Sequence, residues 1–492
     1  MRFESESVDL PLPIIMGNEE ETGMLISIEN NFDEPYDLAD NLPRYIPSEL
    51  LERNDQYLTN GFRVYAGGYS GEKKTNIERA TPECIMPSDV NKYIRVGEVL
   101  IDKITENYAQ ETSRHSDQDV IVRMQRRVVD SRNNRKGCHD NFGLPRNADM
   151  EISTDLRPHI AEFIATRLFI TGAGHIDDDI GPYYSQKITG LEDVIARGWK
   201  GTVAGVLPDN DTTRLEIRCN DINISDWATQ ARLGGMGILL ALDETGELDV
   251  LNKYTNNESD GKYLNRIKDL NEMYMQDDGG LEVSTEQLKA VDYQQRVAEL
   301  AMKRLGLHVE VPYEYFKIAE EIYEYCDDFK EVVRGGGDIS QLSDRSDWAA
   351  KMTVVRSSIE KDRDFGIERE YLDIKAQAMD LKYDYREIVA HDGETISTSQ
   401  GYGYKLRDKD IFRSTIKKPE VLKAYKIPPN DTRASLRSEL LTDHNINVID
   451  WSSLNYNING MEKDSQNIQL SPRETTLSAE NQNKIRPLYL KS

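Results

Sequence analysis

The chain has 492 residues, too many for one simple core and enough for a large domain plus an accessory one. Its 61 basic against 87 acidic residues leave a formal charge of −26, which argues against nucleic acid or an anionic membrane as partner and favours neutral or basic ones. The four cysteines, Cys84, Cys138, Cys219 and Cys326, lie far apart with no CxxC pair, so neither a zinc ribbon nor a disulfide framework is indicated.

No apolar run approaches the length of a membrane span. The start, Met-Arg-Phe-Glu-Ser-Glu-Ser, is too acidic and polar for a signal peptide, so the expected location is cytoplasmic.

In chain order, the first informative segment is Met16-Gly-Asn-Glu-Glu-Glu-Thr-Gly23. On a β-strand Glu19 and Glu21 leave the same face. Arg63-Val-Tyr65 and Ile77-Glu-Arg-Ala-Thr-Pro-Glu-Cys84 follow, the latter adding Glu78 as a third acid. Magnesium binds through a few carboxylates plus substrate phosphates, so these oxygen donors suit it. The plain alternative is that Glu19 and Glu21 are the solvated face of an edge strand.

Asp119-Val-Ile-Val-Arg-Met124 and Thr213-Arg-Leu-Glu-Ile-Arg218 alternate and carry β-branched residues, which predicts strands of an antiparallel sheet with polar members lining one face. Ile160 to Phe169 has helical spacing and stops at Gly172-Ala-Gly174. A second helix should start at Ser284, where Gln287 completes a capping box, and run to about Gly306. A third follows Pro312 over Tyr313 to Val333, with Tyr315, Ile318, Ile322 and Phe329 on one stripe and Gly335-Gly-Gly337 as breaker. The polar stretch His391 to Gly403 reads as a linker, and the last dozen or so residues as loosely ordered. The pattern predicts an α+β fold with a β-rich first half and a helical second half.

The order of the short motifs resembles the Pup ligase and depupylase family, glutamine-synthetase-like enzymes that join a small protein modifier to lysines or remove it. Its Met-Gly-x-Glu-x-Glu-x-Gly strand stands here as Met16 to Gly23, its Asn-Gly-x-Arg-x-Tyr as Asn60 to Tyr65, and its Glu-x-Ala-Thr-Pro-Glu-Cys as Glu78 to Cys84. Gly137-Cys-His-Asp-Asn141, Thr166-Arg167, Gly172-Ala-Gly174, Arg214-Leu215, Asp221-Ile-Asn-Ile-Ser225, Pro428-Pro429, Thr432-Arg-Ala434, Leu436-Arg437 and Asp450-Trp451 continue the match. The Ala-Thr-Pro-Glu-Cys and Gly-Cys-His spellings lean toward the ligase branch.

The resemblance implies a glutamine-synthetase-like antiparallel sheet packed with helices in a catalytic domain over residues 1–404, and a small C-terminal domain over 405–492 that contributes to the nucleotide site. It implies ATP and Mg2+ as cofactors. Glu19, Tyr65 and Glu78 take metal-binding places, with Glu21 and Glu216 as further candidates. Arg63 and Thr81 face the nucleotide phosphates, and Trp451 packs on the nucleotide. On residue chemistry alone Arg63 could be an ordinary surface charge and Trp451 a core filler. Glu216 stands where the family more often has His, and Asp140 replaces the family's Glu. Cys138 and His139 are neighbours, and adjacent strand residues point to opposite faces, which argues against a Cys–His nucleophilic pair and for Cys138 as packing.

One departure bears on the chemistry. The family pattern Arg-x-Tyr-x-Asp ends in its catalytic aspartate, and here that place is Gly67, at the start of a longer glycine-rich connection in which Glu72 is the candidate substitute base. Three functions are therefore expected in order. The first is an ATP-dependent ligase joining a glutamate side-chain carboxylate of a Pup-like modifier or peptide to an amine such as a target lysine. The second is a nucleotide-binding pseudoenzyme or regulatory homologue, and the third a depupylase-like amidase.

Overall fold

The computed structural model describes residues 15–28, 31–33, 36–51, 56–67, 76–116, 118–126, 136–145, 156–177, 181–189, 204–209, 212–244, 247–254, 260–275, 281–305, 312–335, 337–363, 369–414, 416–441, 446–448, 453–456 and 466–469. Glu72, Trp451 and the last dozen residues lie outside the described residues.

A ten-stranded sheet organises the molecule. Its strands are β1 (Met16–Ile28), β2 (Asn31–Asp33), β3 (Arg63–Gly67), β4 (Asn76–Ala80), β5 (Val120–Gln125), β6 (Cys138–Pro145), β7 (Ala204–Asp209), β8 (Thr212–Asn220), β9 (Tyr385–His391) and β10 (Glu394–Gln400). The order is β10-β9-β5-β1-β6-β8-β7, with β2 and β4 also paired to β1 and β3 paired to β4. Every pairing is antiparallel. The predicted strands at 119–124 and 213–218 are β5 and β8. Long β1 is an interior strand, which removes the edge-strand alternative for Glu19 and Glu21.

Burial along β1 alternates from Met16 to Thr22, odd positions half-buried and even ones buried. The buried face packs on the helix α1 (Pro87–Ser116), which lies against β1, β5 and β9. Its Ile94, Ile101 and Ile104 share one core with Met24 of β1 and with Val120, Val122 and Met124 of β5. Glu20, Glu98 and Asp140 on this side are each paired with arginine. Glu20 accepts from Arg79, which also reaches Thr22. Arg126 and Arg407 converge on Glu98. Asp140 accepts from Asn18 and Asn220 at 2.9 Å each and pairs with Arg232 at 2.9 Å.

Further helices pack against α1 and against one another. They include α2 (Leu156–Thr166), α3 (Asp226–Glu244), α4 (Thr285–Leu305) and α5 (Tyr313–Gly335). The expected helix at 160–169 is split, a short turn Leu168–Thr171 following α2 before the backbone leaves at Gly172 in an extended conformation. Helix α4 opens with the expected reciprocal cap, the Ser284 N–H donating to Gln287 Oε1 at 2.9 Å and the Gln287 N–H to Ser284 Oγ at 3.2 Å. Helix α5 buries Tyr315, Ile318, Ile322 and Phe329 as its stripe requires.

Two expectations fail. The halves are not β then α, because α1 stands in the first and β9 and β10 come from the second to extend the same sheet. The stretch His391 to Gly403 is no linker. It turns at Asp392 and Gly393, both at positive φ, and returns as β10 paired along β9. Its polarity misled because β10 is an edge strand with most side chains exposed. The Asp-Gly turn signal between two runs was there to be read.

Candidate active site

Antiparallel register decides which side chains share the open face of the sheet, since residues directly opposite each other point the same way. Glu21 lies opposite Glu78, which lies opposite Tyr65. Glu19 lies opposite Ala80 on one side and His139 on the other, and Ala80 lies opposite Arg63. Gly17 lies opposite Asn141, which lies opposite Glu216. Three rows across five strands thus bring Glu19, Glu21, Glu78, Glu216, Tyr65, Arg63 and His139 to one surface.

His139 is the centre of this group. Its Nδ1 lies 3.7 Å from Glu19 Oε2 and 3.4 Å from Glu216 Oε1. One donor atom from each of Glu19, His139 and Glu216 falls within 4.8 Å of the others. Burial works to lower the imidazole, but hydrogen bonds to Glu19 and Glu216 and the charge of Glu21 raise it to about 10. Glu216 falls to about 2, because His139 and then Arg218 outweigh the effect of its burial. The Arg218 Nε donates to Glu216 Oε2 at 2.8 Å.

Glu78 moves the other way. Burial raises it, the neighbouring charges of Glu19 and Glu21 and a hydrogen bond with Glu19 add to this, and it reaches about 8. Acids packed so closely repel one another unless a proton or a cation intervenes. The donor set of carboxylates and one imidazole therefore fits a divalent cation, and Glu19, Glu21, Glu78, Glu216 and His139 are the residues that could hold it.

Gly67 closes this end of the site. A Cβ built on it would lie 1.7 Å from Glu78 Oε1 and 2.7 Å from Asn76 Nδ2. The space in which a side chain of residue 67 would begin is filled by the Glu78 carboxylate, which accepts from Asn76 at 3.3 Å.

Arg63 projects from β3 with its guanidinium 4.5 Å from the Tyr65 ring centroid and 5.4 Å from that of Tyr57, and it donates to Gln56 at 3.0 and 3.3 Å. Thr81 is buried, and its Oγ1 accepts the Asn18 N–H at 3.0 Å, which ties the end of β4 to β1. The helix Arg433–Leu440 reaches the same end. Arg437 lies 5.6 Å from the Tyr57 ring, and Arg433 and Arg437 clamp Glu83 at 2.7 and 2.8 Å. Burial alone would raise Glu83, but Arg437 and Arg433 hold it down at about 2.

Sequence reasoning missed His139 as a site residue, because its neighbour Cys138 framed it as half of a nucleophilic pair. Cys138 points the other way, buried, with its Sγ 3.2 Å from the carbonyl of Asp221. The missed signal was the strand register. Asp140 likewise faces away from the site, so the shorter side chain there concerns the core. The Gly172-Ala-Gly174 and Asp221–Ser225 motifs meet each other, the Asp221 carboxylate accepting the Ala173 N–H at 2.9 Å and Asn223 donating to the Thr171 carbonyl at 2.9 Å. Among the described residues no helix is long and apolar enough to cross a membrane.

Comparison with known proteins agrees with this architecture. The family model described as Pup-ligase protein matches residues 30–455. A Pup–protein ligase of Corynebacterium diphtheriae is 24% identical over 422 residues, covering 82% of this chain and 80% of that protein. A depupylase of Acidothermus cellulolyticus is 24% identical over 445 residues, covering 85% and 78%.

Among solved structures, the ligase PafA in complex with the prokaryotic ubiquitin-like protein Pup superposes with a TM-score of 0.74 at 20% identity, covering 98% of this chain and 93% of that one. The Pup ligase PafA in complex with ADP gives 0.67 at 20% identity, covering 92% and 93%. The α+β fold with its antiparallel sheet is thus shared with these ligases. With the match spanning most of its length, the chain belongs to the Pup-ligase family.

Proposed function

We propose that this protein is an ATP- and Mg2+-dependent carboxylate–amine ligase of the cytoplasm. It phosphorylates the side-chain carboxylate of a glutamate on a Pup-like modifier or peptide and joins the acyl group to an amine such as a target lysine. The observation that carries this reading is the convergence of Glu19, Glu21, Glu78, Glu216 and His139 on an open sheet face in a chain of this family. Relatives solved with ADP and with Pup support the choice of nucleotide and modifier.

Bound there, Mg2+ supplies the positive charge that lets two anions approach. In this assignment Glu19, Glu21, Tyr65, Glu78, Glu216 and His139 line the metal-binding face, and Arg63 and Thr81 lie toward the nucleotide. Residues 405–492 form the accessory unit and contribute Trp451. The substrate carboxylate attacks the γ-phosphorus of ATP, giving an acyl phosphate and ADP. The amine then attacks the acyl carbon, expelling phosphate and losing one proton.

That proton needs an acceptor, since a lysine amine of ordinary pKa about 10.4 is mostly ammonium at neutral pH. With Gly67 in the family's aspartate position, Glu72 of the segment that follows is the candidate. A second reading, a nucleotide-binding pseudoenzyme or regulatory homologue, is favoured by one observation: residue 67 carries no side chain to act as a base, and the Glu78 carboxylate occupies the space over it. A depupylase-like amidase is the third, given the depupylase relative.

The deciding measurement is ADP and phosphate release by the purified protein with Mg-ATP, with and without a glutamate-ending peptide. Peptide-dependent release that survives Glu72→Gln, while isopeptide formation is lost, supports the ligase reading. Nucleotide binding without turnover supports the pseudoenzyme, and amine release from an isopeptide without new bond formation supports the amidase.

A further inference from the structure

The net charge of −26 is unevenly spread. Residues 417–427 read Lys-Lys-Pro-Glu-Val-Leu-Lys-Ala-Tyr-Lys-Ile, four lysines against one acid. They form the short helix Lys418–Ala424 and a closing turn, in which the Lys426 N–H donates to the Lys423 carbonyl at 3.2 Å and the Ile427 N–H to that of Ala424 at 3.4 Å. Val421, Ala424 and Tyr425 are buried where this helix packs on α1. Asn60 donates to the Tyr425 carbonyl at 2.9 Å and the Tyr93 hydroxyl to the Ile427 carbonyl at 2.7 Å, which fixes the turn. Lys417, Lys418, Leu422, Lys423, Lys426 and Ile427 are left exposed. Since α1 covers the buried face of the sheet, this patch lies on the far side from the acidic face.

The patch differs from an ordinary solvated helix in two ways. Its nearby acids are engaged elsewhere: Glu420 accepts the Lys417 N–H at 2.9 Å, Glu49 takes Lys103 at 3.4 Å and the Tyr425 hydroxyl at 3.3 Å, and Asp89 takes Lys92 at 2.5 Å, with Asp431 beside that pair. Among the described residues none of Lys417, Lys418, Lys423 and Lys426 has an ion-pair partner. Lys423 and Lys426, three apart, repel each other. The lysines also surround apolar surface, Leu422 being 53% and Ile427 50% exposed. Leu422 stands one turn from Lys418 and Lys426, and Ile427 one turn from Lys423.

We propose that this patch docks an acidic segment of a partner protein, whose carboxylates meet the four lysines and whose apolar side chains cover Leu422 and Ile427. Charge complementarity selects this occupant. A nucleic acid or an anionic membrane presents a broad anionic surface that the rest of this acidic chain repels, and two copies of the chain repel each other likewise. A single segment engages the patch alone, because charges more than about 8 Å away are screened at physiological salt. Exposed leucine and isoleucine among the lysines match a polypeptide better than a phosphate backbone. The inference goes beyond the ligase reading and does not depend on it.

The test uses the full chain and a fluorescein-labelled synthetic peptide of repeated Glu-Glu-Leu-Glu-Glu-Ile. Polyglutamate, phosphatidylserine vesicles and a single-stranded oligonucleotide serve as comparisons. Binding is followed by fluorescence anisotropy, and its location by reductive methylation of lysines read by mass spectrometry. The peptide should protect Lys418, Lys423 and Lys426, while Lys289 and Lys303, exposed on α4, stay reactive. The triple variant Lys418→Gln, Lys423→Gln, Lys426→Gln should bind about tenfold weaker and lose most of the salt dependence, as three exposed ion pairs go. Leu422→Ser with Ile427→Ser should also weaken binding about tenfold, through lost apolar burial. All five side chains are exposed, so melting temperatures should stay near that of the wild type.

Protection at the patch together with losses in both variants supports the proposal. Polyglutamate binding as tightly as the mixed peptide, with no loss in the serine variant, would mean that the lysines gather anions without a docking surface, and overturns it. Tighter binding of vesicles or oligonucleotide through the same lysines overturns the choice of partner, as does dimerisation of the chain that the triple variant abolishes. Wild-type protein whose patch lysines stay reactive with every probe overturns the proposal outright. Failure of the ligase reading is seen separately, in ADP release, and leaves these outcomes unchanged.

Discussion

Glu20 and its neighbours Glu19 and Glu21 are the same residue type on one strand, yet they live in different chemistry. Glu20 points into the buried face and is matched by Arg79, with Arg126 3.7 Å away. Glu19 and Glu21 point to the open face, where further acids, one imidazole and the lysines Lys187 and Lys136 surround them. A buried acid matched by arginine is structural, because removing either partner strands a charge. Acids gathered with too few cations are costly for the fold and make sense as a place for a metal. The pleat of a single strand separates the two roles.

The largest effect should come from the open face. Glu19→Gln and Glu216→Gln should each lower peptide-dependent ADP release by about a hundredfold or more, since cation-mediated charge stabilisation is worth several kcal/mol. Glu19→Gln should melt at or near the wild-type temperature, whereas Glu216→Gln should melt lower, because His139 and Arg218 stabilise its carboxylate. Variants that melted early while turning over normally would erase the distinction between the faces.

On the buried face, Glu20→Ala should cost about 3–5 kcal/mol in denaturant unfolding by leaving Arg79 buried and unpaired. Mn2+ affinity of the folded protein should not move. A cost near zero would mean that this pairing is not structural.

Glu83 offers a pH test of the same idea. Its folded pKa of about 2 lies below the ordinary 4.5, so its stabilising contribution is fully present above 4.5 and is lost as pH falls from 4.5 to 2. The shift corresponds to about 3 kcal/mol. Glu83→Gln should be less stable at neutral pH and lose less on acidification over that window, as read by unfolding at a series of pH values.

Glu78 should show the opposite behaviour. Its folded pKa of about 8 is raised, so the fold holds a proton that the unfolded chain has released, and stability falls as pH rises from 4.5 to 8. In metal-free protein Glu78→Gln should flatten that decline and be more stable than the wild type at pH 8. Added Mg2+ should stabilise the wild type more than the variant.

Much of this was written locally. The alternation in β1 placed Glu19 and Glu21 together, the Ser284 and Gln287 pair fixed the start of α4, and the stripe on Tyr313–Gly335 fixed its buried face. Short-range periodicity carried these because neighbours in space were neighbours in sequence. The return strand after Asp392-Gly393 was also local, but its exposed edge hid it behind a linker's composition. Thirty-residue α1 was passed over, and its packing against β1, β5 and β9 gives it its place.

The sequence by itself determined the family, the antiparallel strand that carries the acids, and the residue types of the candidate site. Tertiary structure alone decided that His139 stands between Glu19 and Glu216, that Glu78 fills the space over Gly67, and that Lys187 reaches Glu21. Periodicity states which way a side chain points from its own strand. Which strand lies beside it is settled by long-range register, and these three contacts are all made across strands or from outside the sheet.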